Sequence, residues 1–231
     1  MFILYHNLSP ETSGTVVHMI AFEVNFMPIV PTDIPMTPSL CLRTIDAITA
    51  RYPFCRSELL TRTAYGRPVR TLVIGNGPRK VLYSAAHHAN EWITTPVLLK
   101  FVEEFARAIE SGGQIGGVSA AELRNTATIY TVPMVDPDGV ALVTGEIPQG
   151  DPQYVSAQAI AAGFPAIPFP DGWKANLLGV DLNLNYPAGW LQARENKFAQ
   201  GFTRPAPRDF VGRAPFGSVR DTGTGRLHRS H

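Results

Sequence analysis

The sequence predicts an α/β sheet domain, and three observations carry the prediction. Short runs rich in β-branched and aromatic residues (Val69–Ile74, Lys80–Ser84, Ala127–Val135) alternate with segments of helical period. The chain has 231 residues, the size of one α/β domain and enough to bury a core without disulfides or a structural metal. Gly and Pro number 20 each, which fits a loop-rich enzyme better than a helical bundle or coiled coil.

Met1 to Phe26 shows neither period and reads as a leader, followed by a connector marked by Pro28, Pro31, Pro35 and Pro38. The domain proper is expected over 37–216, after a 1–36 leader and connector. Ser39 reads as the N-cap of a helix reaching Arg51, with Leu42, Ile45, Ile48 and Thr49 on one face and Tyr52-Pro53 ending it. Val69–Ile74 and Lys80–Ser84 read as strands joined as a hairpin through Gly75-Asn76-Gly77-Pro78. From Thr95 the period becomes 3.6: Pro96 suits a first turn, Val97, Leu98, Phe101, Val102, Phe105 and Ile109 form a stripe, and Gly112-Gly113 stop it. Ala127–Val135 reads as a buried strand ending at an Asp136-Pro137-Asp138-Gly139 turn, and 179–185 as a further short segment. Gly217 to His231 has almost nothing apolar to bury and is expected to be a disordered tail.

Composition excludes several classes. Twenty basic against 19 acidic residues leave no excess charge to hold nucleic acid. No stretch is long and apolar enough to span a membrane, and Met1 to Tyr5 lacks a secretory signal, so the chain as written reads as soluble and cytoplasmic. Cys41 and Cys55 belong to no CxxC pair or His cluster and read as buried apolar fillers. There is no Gly-x-Ser-x-Gly elbow, P-loop or His-Glu-x-x-His.

The chemistry concentrates in His88-Ala89-Asn90-Glu91-Trp92-Ile93-Thr94, between a predicted strand and the best-defined helix. Imidazole and carboxylate both suit zinc, and a strand-to-helix loop can aim residues three apart at one ion. A bare His-x-x-Glu also fits a surface His beside a Glu that favours a helix N-terminus. The whole string resembles the first zinc motif of the zinc carboxypeptidase family. Asp136-Pro137-Asp138-Gly139 is similar to that family's Asn-Pro-Asp-Gly turn, and Trp173-Lys174 and Gly179-Val180-Asp181-Leu182-Asn183-Leu184-Asn185 follow in the family's order. Ile29-Val30-Pro31-Thr32, His88 to Thr94 and Trp173 to Trp190 look closest to its γ-D-glutamyl-diamino-acid endopeptidase branch, which cuts cell-wall stem peptides.

The resemblance implies a mixed β-sheet with helices on both faces, a Zn2+ cofactor and a peptide or muropeptide substrate. It makes His88 and Glu91 metal ligands and Asp181 a carboxylate behind the ligand imidazole, while His87, pointing to the opposite side of an extended segment, reads as a supporting or packed histidine. Lys174 falls where many members place an arginine that stabilises the oxyanion. Asn183 matches the Asn of an Asn-Arg pair that grips a terminal carboxylate. Leu184 stands in the Arg position and cannot make that bidentate contact, which argues against a conventional exopeptidase. The family's third ligand and general-base Glu match no residue here, and His228 and His231 sit on the tail without a scaffold. The chain therefore reads as truncated at its C-terminus, with a lost upstream wall-targeting segment as a further implication. Two other readings stand beside the peptidase: a catalytically incomplete remnant, and a zinc amidohydrolase that deacylates small amino-acid conjugates. A truncated sheet leaves strand and apolar surface uncovered, which predicts poor solubility; if the chain folds, it is expected to be a monomer.

Overall fold

The structure, a computed structural model, describes residues 28–215. Helix α1 (Pro38–Arg51) starts two residues earlier than Ser39 would allow: Thr37 is the N-cap, its hydroxyl accepting from Leu40 N, and Pro38 occupies the first turn. The stripe α1 buries is Cys41, Thr44, Ile45 and Ile48. Strand β1 (Arg56–Arg62) pairs antiparallel with β2 (Pro68–Gly75), and β3 (Arg79–Ser84) follows. After a 3-10 turn at Ala89–Glu91 comes α2 (Thr94–Ser111), closed by Gly112 in the left-handed region. A two-residue ladder, β4 (Gln114–Ile115) with β5 (Val118–Ser119), leads through α3 (Ala120–Thr126) into β6 (Ala127–Val132). The chain continues through α4 (Pro137–Val143), α5 (Pro152–Ala161), a 3-10 turn at Leu182–Leu184 and α6 (Trp190–Ala199).

The main sheet has the order β1-β2-β6-β3, antiparallel except for the β6–β3 pair. The expected β2–β3 hairpin is therefore corrected: β6 lies between the two strands. Gly75 and Gly77 show why. A Cβ on Gly75 would come 2.2 Å from Ala127 O and one on Gly77 2.0 Å from Thr126 C, so the turn wraps tightly around the start of β6. Asn76 N donates to Arg124 O and Gly77 N to Ala127 O, satisfying the turn across the inserted chain.

One face of the sheet packs Leu72, Ile74 and Ile129 against α1, α2 and α3 in the largest core cluster. The other packs Leu60, Val69, Leu82 and Val132 against Val135 and Leu182 of the second 3-10 turn. This is the mixed, helix-covered α/β sheet expected. Helix α2 buries Leu99, Val102, Phe105 and Ala106, whereas Val97 faces out, so the apolar stripe is rotated from the one read in the sequence. Asp136-Pro137-Asp138-Gly139 is no free turn; Asp136 caps α4, its side chain accepting from Gly139 N at 3.0 Å. The short 179–185 segment contains the 3-10 turn Leu182–Leu184.

Of the connector, residues 28–36 are described, and Val30 and Met36 are buried in the main core. Ile29 N and Val30 N donate to the carboxylate of Glu103 on α2 at 2.6 and 3.3 Å. Both cysteines are buried and free, as expected, and burial pushes each thiol pKa up to about 12. The 217–231 tail, with His228 and His231, and the leader through residue 27 lie outside the described residues.

Candidate metal centre

The site begins at the end of β3. Ala86 adopts a left-handed conformation (φ 49°), unusual for a residue with a Cβ, and is held there from two sides. Its N–H donates to Thr94 Oγ1 at 2.9 Å, and its carbonyl accepts from Asp136 N at 3.0 Å. Such strain persists only where the surroundings enforce it, and it tends to gather at functional sites. Beyond this kink His87 and His88 part company. The Nε2 of His87 lies 2.9 Å from the Tyr186 hydroxyl, away from the His88 cluster.

His88 sits at the head of the 3-10 turn that carries Glu91. Its Nδ1 lies 3.0 Å from Glu91 Oε1 and its Nε2 3.2 Å from Asp181 Oδ1. Lys174 Nζ donates to Glu91 Oε1 at 3.0 Å. Four of the residues singled out in the sequence are thus linked in one chain of contacts: Lys174, Glu91, His88 and Asp181. Asn183 does not join them through its side chain, which is exposed; its N–H donates to Asp181 Oδ1 at 3.2 Å.

Asp181 is buried and serves three donors. Besides His88 and Asn183 N, its Oδ2 accepts from Asp209 N at 3.1 Å. Asp209 has a positive φ of 68° and is held by Lys197 and Arg208. Lys174 is placed by its own backbone, since Lys174 N donates to Pro207 O at 2.8 Å and Lys174 O accepts from Ala89 N at 3.2 Å. Under the loop, Ala89 packs with Ala141, Leu142, Trp173 and Ala175. Arg67 ties α4 to the β1–β2 turn through Asp138 at 2.9 Å. Gly139 is required by this packing, because a Cβ there would come 2.6 Å from Ala175 O and 2.7 Å from Ala89 Cβ.

The electrostatics follow from these contacts. The hydrogen bond to Asp181 raises the His88 pKa above the ordinary histidine value; burial opposes the rise and Glu91 adds to it. Burial pushes the Glu91 pKa up, but hydrogen bonds from Lys174 and His88 outweigh it and hold the carboxyl below its usual range. Both carboxylate contacts of the His88 ring favour its protonated form.

The arrangement fits part of a metal centre. Two ligands on a tetrahedral zinc lie about 3.3 Å apart, given ligand distances of about 2.0–2.1 Å. Nδ1 of His88 and Oε1 of Glu91 are 3.0 Å apart, a spacing that suits neighbouring donors on one ion. A carboxylate on the far ring nitrogen fixes the tautomer that frees Nδ1, as metal-binding histidines generally require. Asp181 occupies that far side, so the three groups do not converge, and no set of three or more His, Cys, Asp or Glu side chains among the described residues is arranged to hold a metal ion. Asp209 and Tyr186, which complete the surroundings, went unmarked in the sequence, and Asp136 stood out only as part of the Asp-Pro-Asp-Gly string.

The fold agrees with direct comparison. A family model described as zinc carboxypeptidase matches residues 41–216, and the chain belongs to that family. Among curated proteins it is similar to gamma-D-glutamyl-L-diamino acid endopeptidase 1 of Lysinibacillus sphaericus, 37% identical over 177 residues that make up 77% of this chain and 43% of the relative. It is also 34% identical over 173 residues to the uncharacterized protein YqgT of Bacillus subtilis (strain 168), covering 74% of this chain and 44% of that protein. The chain thus spans less than half the length of these curated relatives. Bovine thrombin-activatable fibrinolysis inhibitor, in complex with tick carboxypeptidase inhibitor, superposes with a TM-score of 0.58 at 16% identity, covering 84% of this chain and 55% of that one. Carboxypeptidase A from Helicoverpa armigera gives 0.58 at 17% identity, with 85% and 43% covered. At these identities the structures speak for the fold alone.

Proposed function

We propose that this chain carries the first half of a zinc peptidase site and that the site acts on γ-D-glutamyl-diamino-acid bonds of cell-wall stem peptides. The observation that carries the reading is the His88–Glu91 pair, spaced for one ion and braced by Asp181 behind the imidazole. Zinc held there would supply Lewis acidity toward a peptide carbonyl. Lys174 sets a positive charge beside the same spot, where it can hold the charge that develops on the carbonyl oxygen. Asn183 is exposed next to the cluster and can hydrogen-bond substrate. Leu184 leaves that position without a guanidinium for a free C-terminal carboxylate, which favours an internal γ-linked bond. The similarity to an endopeptidase of that name supports the same substrate class.

A second reading has its own support. No third convergent ligand stands among the described residues, which fits a chain that retains the fold and binds metal or peptide without turnover. Zinc titration of the purified chain separates the two, run beside His88→Ala, Glu91→Ala and Asp181→Ala, and followed by hydrolysis of a γ-D-glutamyl-diaminopimelyl peptide. The peptidase reading expects one zinc per chain, lost with His88 or Glu91 and weakened about 10–100-fold without Asp181, together with cleavage. Zinc without cleavage supports the incomplete site. Binding indifferent to all three substitutions refutes both.

A further inference from the structure

The left-handed conformation of Asp209 (φ 68°) is one that residues with a Cβ avoid, aspartate and asparagine tolerating it best. Its carboxylate is anchored at both oxygens. Oδ1 accepts from Lys197 Nζ and Oδ2 from the Nε of the neighbouring Arg208, each at 2.7 Å. Lys197 stands on α6, and a second bond ties the same helix to the same segment, Trp190 Nε1 donating to Val211 O at 3.0 Å. On its other side the segment meets the candidate metal centre. Pro207 O accepts from Lys174 N and Ala175 N at 2.8 and 2.9 Å, and Phe210 O accepts from Asp181 N at 2.8 Å. Between them Asp209 N donates to Asp181 Oδ2 at 3.1 Å. Residues 207–211 are thus strung between α6 and two residues of the site.

We propose that Asp209 is a positioning residue for the candidate metal centre: its backbone N–H fixes the carboxylate of Asp181, and through it the His88 ring, while its side chain locks that N–H in place against α6. The role presupposes zinc on His88 and Glu91, and so rests on the zinc peptidase reading. Asp181 divides its work, Oδ1 meeting His88 Nε2 and Asn183 N, Oδ2 meeting Asp209 N. At 3% exposure the carboxylate has little water to draw on. The Asp209 N–H therefore stabilises its charge and keeps it from turning about its last bond, which holds Oδ1 on the imidazole. An imidazole braced at the far nitrogen offers Nδ1 to a metal in one orientation. Relaxing φ at 209 to negative values would swing the N–H off Oδ2. The two ion pairs oppose that relaxation, so the strain is kept up by Lys197 and Arg208 and serves the site.

Zinc affinity of the full chain, measured by competition with a chelator, tests this together with amide exchange at residue 209. Asp209→Ala keeps the N–H but removes both anchors and disfavours the left-handed turn, whereas Asp209→Asn tolerates the turn and keeps an acceptor. The dissociation constant for zinc should rise about tenfold in Asp209→Ala, the lower end of what loss of an outer partner costs a metal site, with faster exchange at 209. Asp209→Asn should recover most of both. Lys197→Ala, at a side chain 25% exposed, should move both readouts the same way by less, and Lys197→Arg should restore them. Thermal melts show that each variant is folded, and the Lys197 pair decides the matter if Asp209→Ala is not. Unchanged zinc affinity in variants of a chain that does bind zinc overturns the positioning role and leaves the zinc reading standing. So does a loss that neither conservative variant recovers, which marks general damage to the fold. An unmodified chain that binds no zinc refutes the zinc reading itself, and this role with it.

Discussion

Replacing Asp136 by Asn changes one atom of a side chain that is 1% exposed. Its Oδ1 accepts from Gly139 N and caps α4, whereas its Oδ2 is buried with no hydrogen-bond partner. Burial pushes its pKa well above the ordinary carboxylate value; the Gly139 N–H pulls it down, and Asp138 and Asp181 push it further up. The folded protein therefore keeps the proton where the unfolded chain has already released it. Folded protein binding more protons than unfolded means that stability is complete below about pH 4 and falls as pH rises, until the folded group ionises. For one proton the loss is about 1.4 kcal/mol per pH unit across that window. The Asn side chain keeps the acceptor for Gly139 and is uncharged at every pH. Urea unfolding followed by circular dichroism, repeated from pH 4 to 7, should give equal stabilities at the acid end and a gain for Asp136→Asn that grows with pH until the folded carboxyl ionises. Titrating groups that do not interact with Asp136 are common to both proteins and cancel in the difference. Parallel curves, or a variant less stable at neutral pH, would refute a neutral buried acid.

Three further perturbations probe the frame around the site. Glu103→Ala strips the acceptor from Ile29 N and Val30 N; a loss of about 1–3 kcal/mol is expected, with amide exchange at 29 and 30 accelerating more than in the core strands. Leu72→Ala, at a fully buried position of β2, should lower the denaturation midpoint by the equivalent of about 2–5 kcal/mol at constant m-value. Gly77→Ala drives a Cβ into the Thr126–Ala127 backbone and should cost about 1–3 kcal/mol; an unchanged melting temperature would mean that the β2–β3 turn is not clamped around β6.

What the sequence disclosed was largely local. Helix α2 announced itself through its period, its proline and its glycine stop, whereas the His88–Glu91 pair stood out only through the resemblance of the whole string around it. Even there, the stripe was misjudged at Val97, because tertiary packing chose Leu99 and Ala106 instead. Strand β1 escaped notice because Arg56-Ser57-Glu58 and Thr61-Arg62 are polar and mostly face water, as a strand with little buried surface can. The cap on α1 moved to Thr37 because Pro38 is better suited than Ser39 to open a helix. Asp181 and Lys174 were found through resemblance, since nothing within one turn of either betrays a contact 93 or 83 residues away. Asp209 and Tyr186 sit beyond such reasoning: their roles exist only once the chain has returned to β3.

The insertion of β6 between β2 and β3 sets a contest during folding. Gly75-Asn76-Gly77-Pro78 can close β2 onto β3 directly, and the two strands already run in opposite senses, so a false hairpin is available as soon as residue 84 is made. The native sheet needs them held about 9.6 Å apart, two strand spacings, until a strand some forty residues later fills the slot. Arg124 O and Ala127 O are the acceptors that prop the slot open, and they arrive only with the filler itself. His88 hangs from the far end of β3, so the histidine at the centre of the site is in place only when β6 has filled the slot.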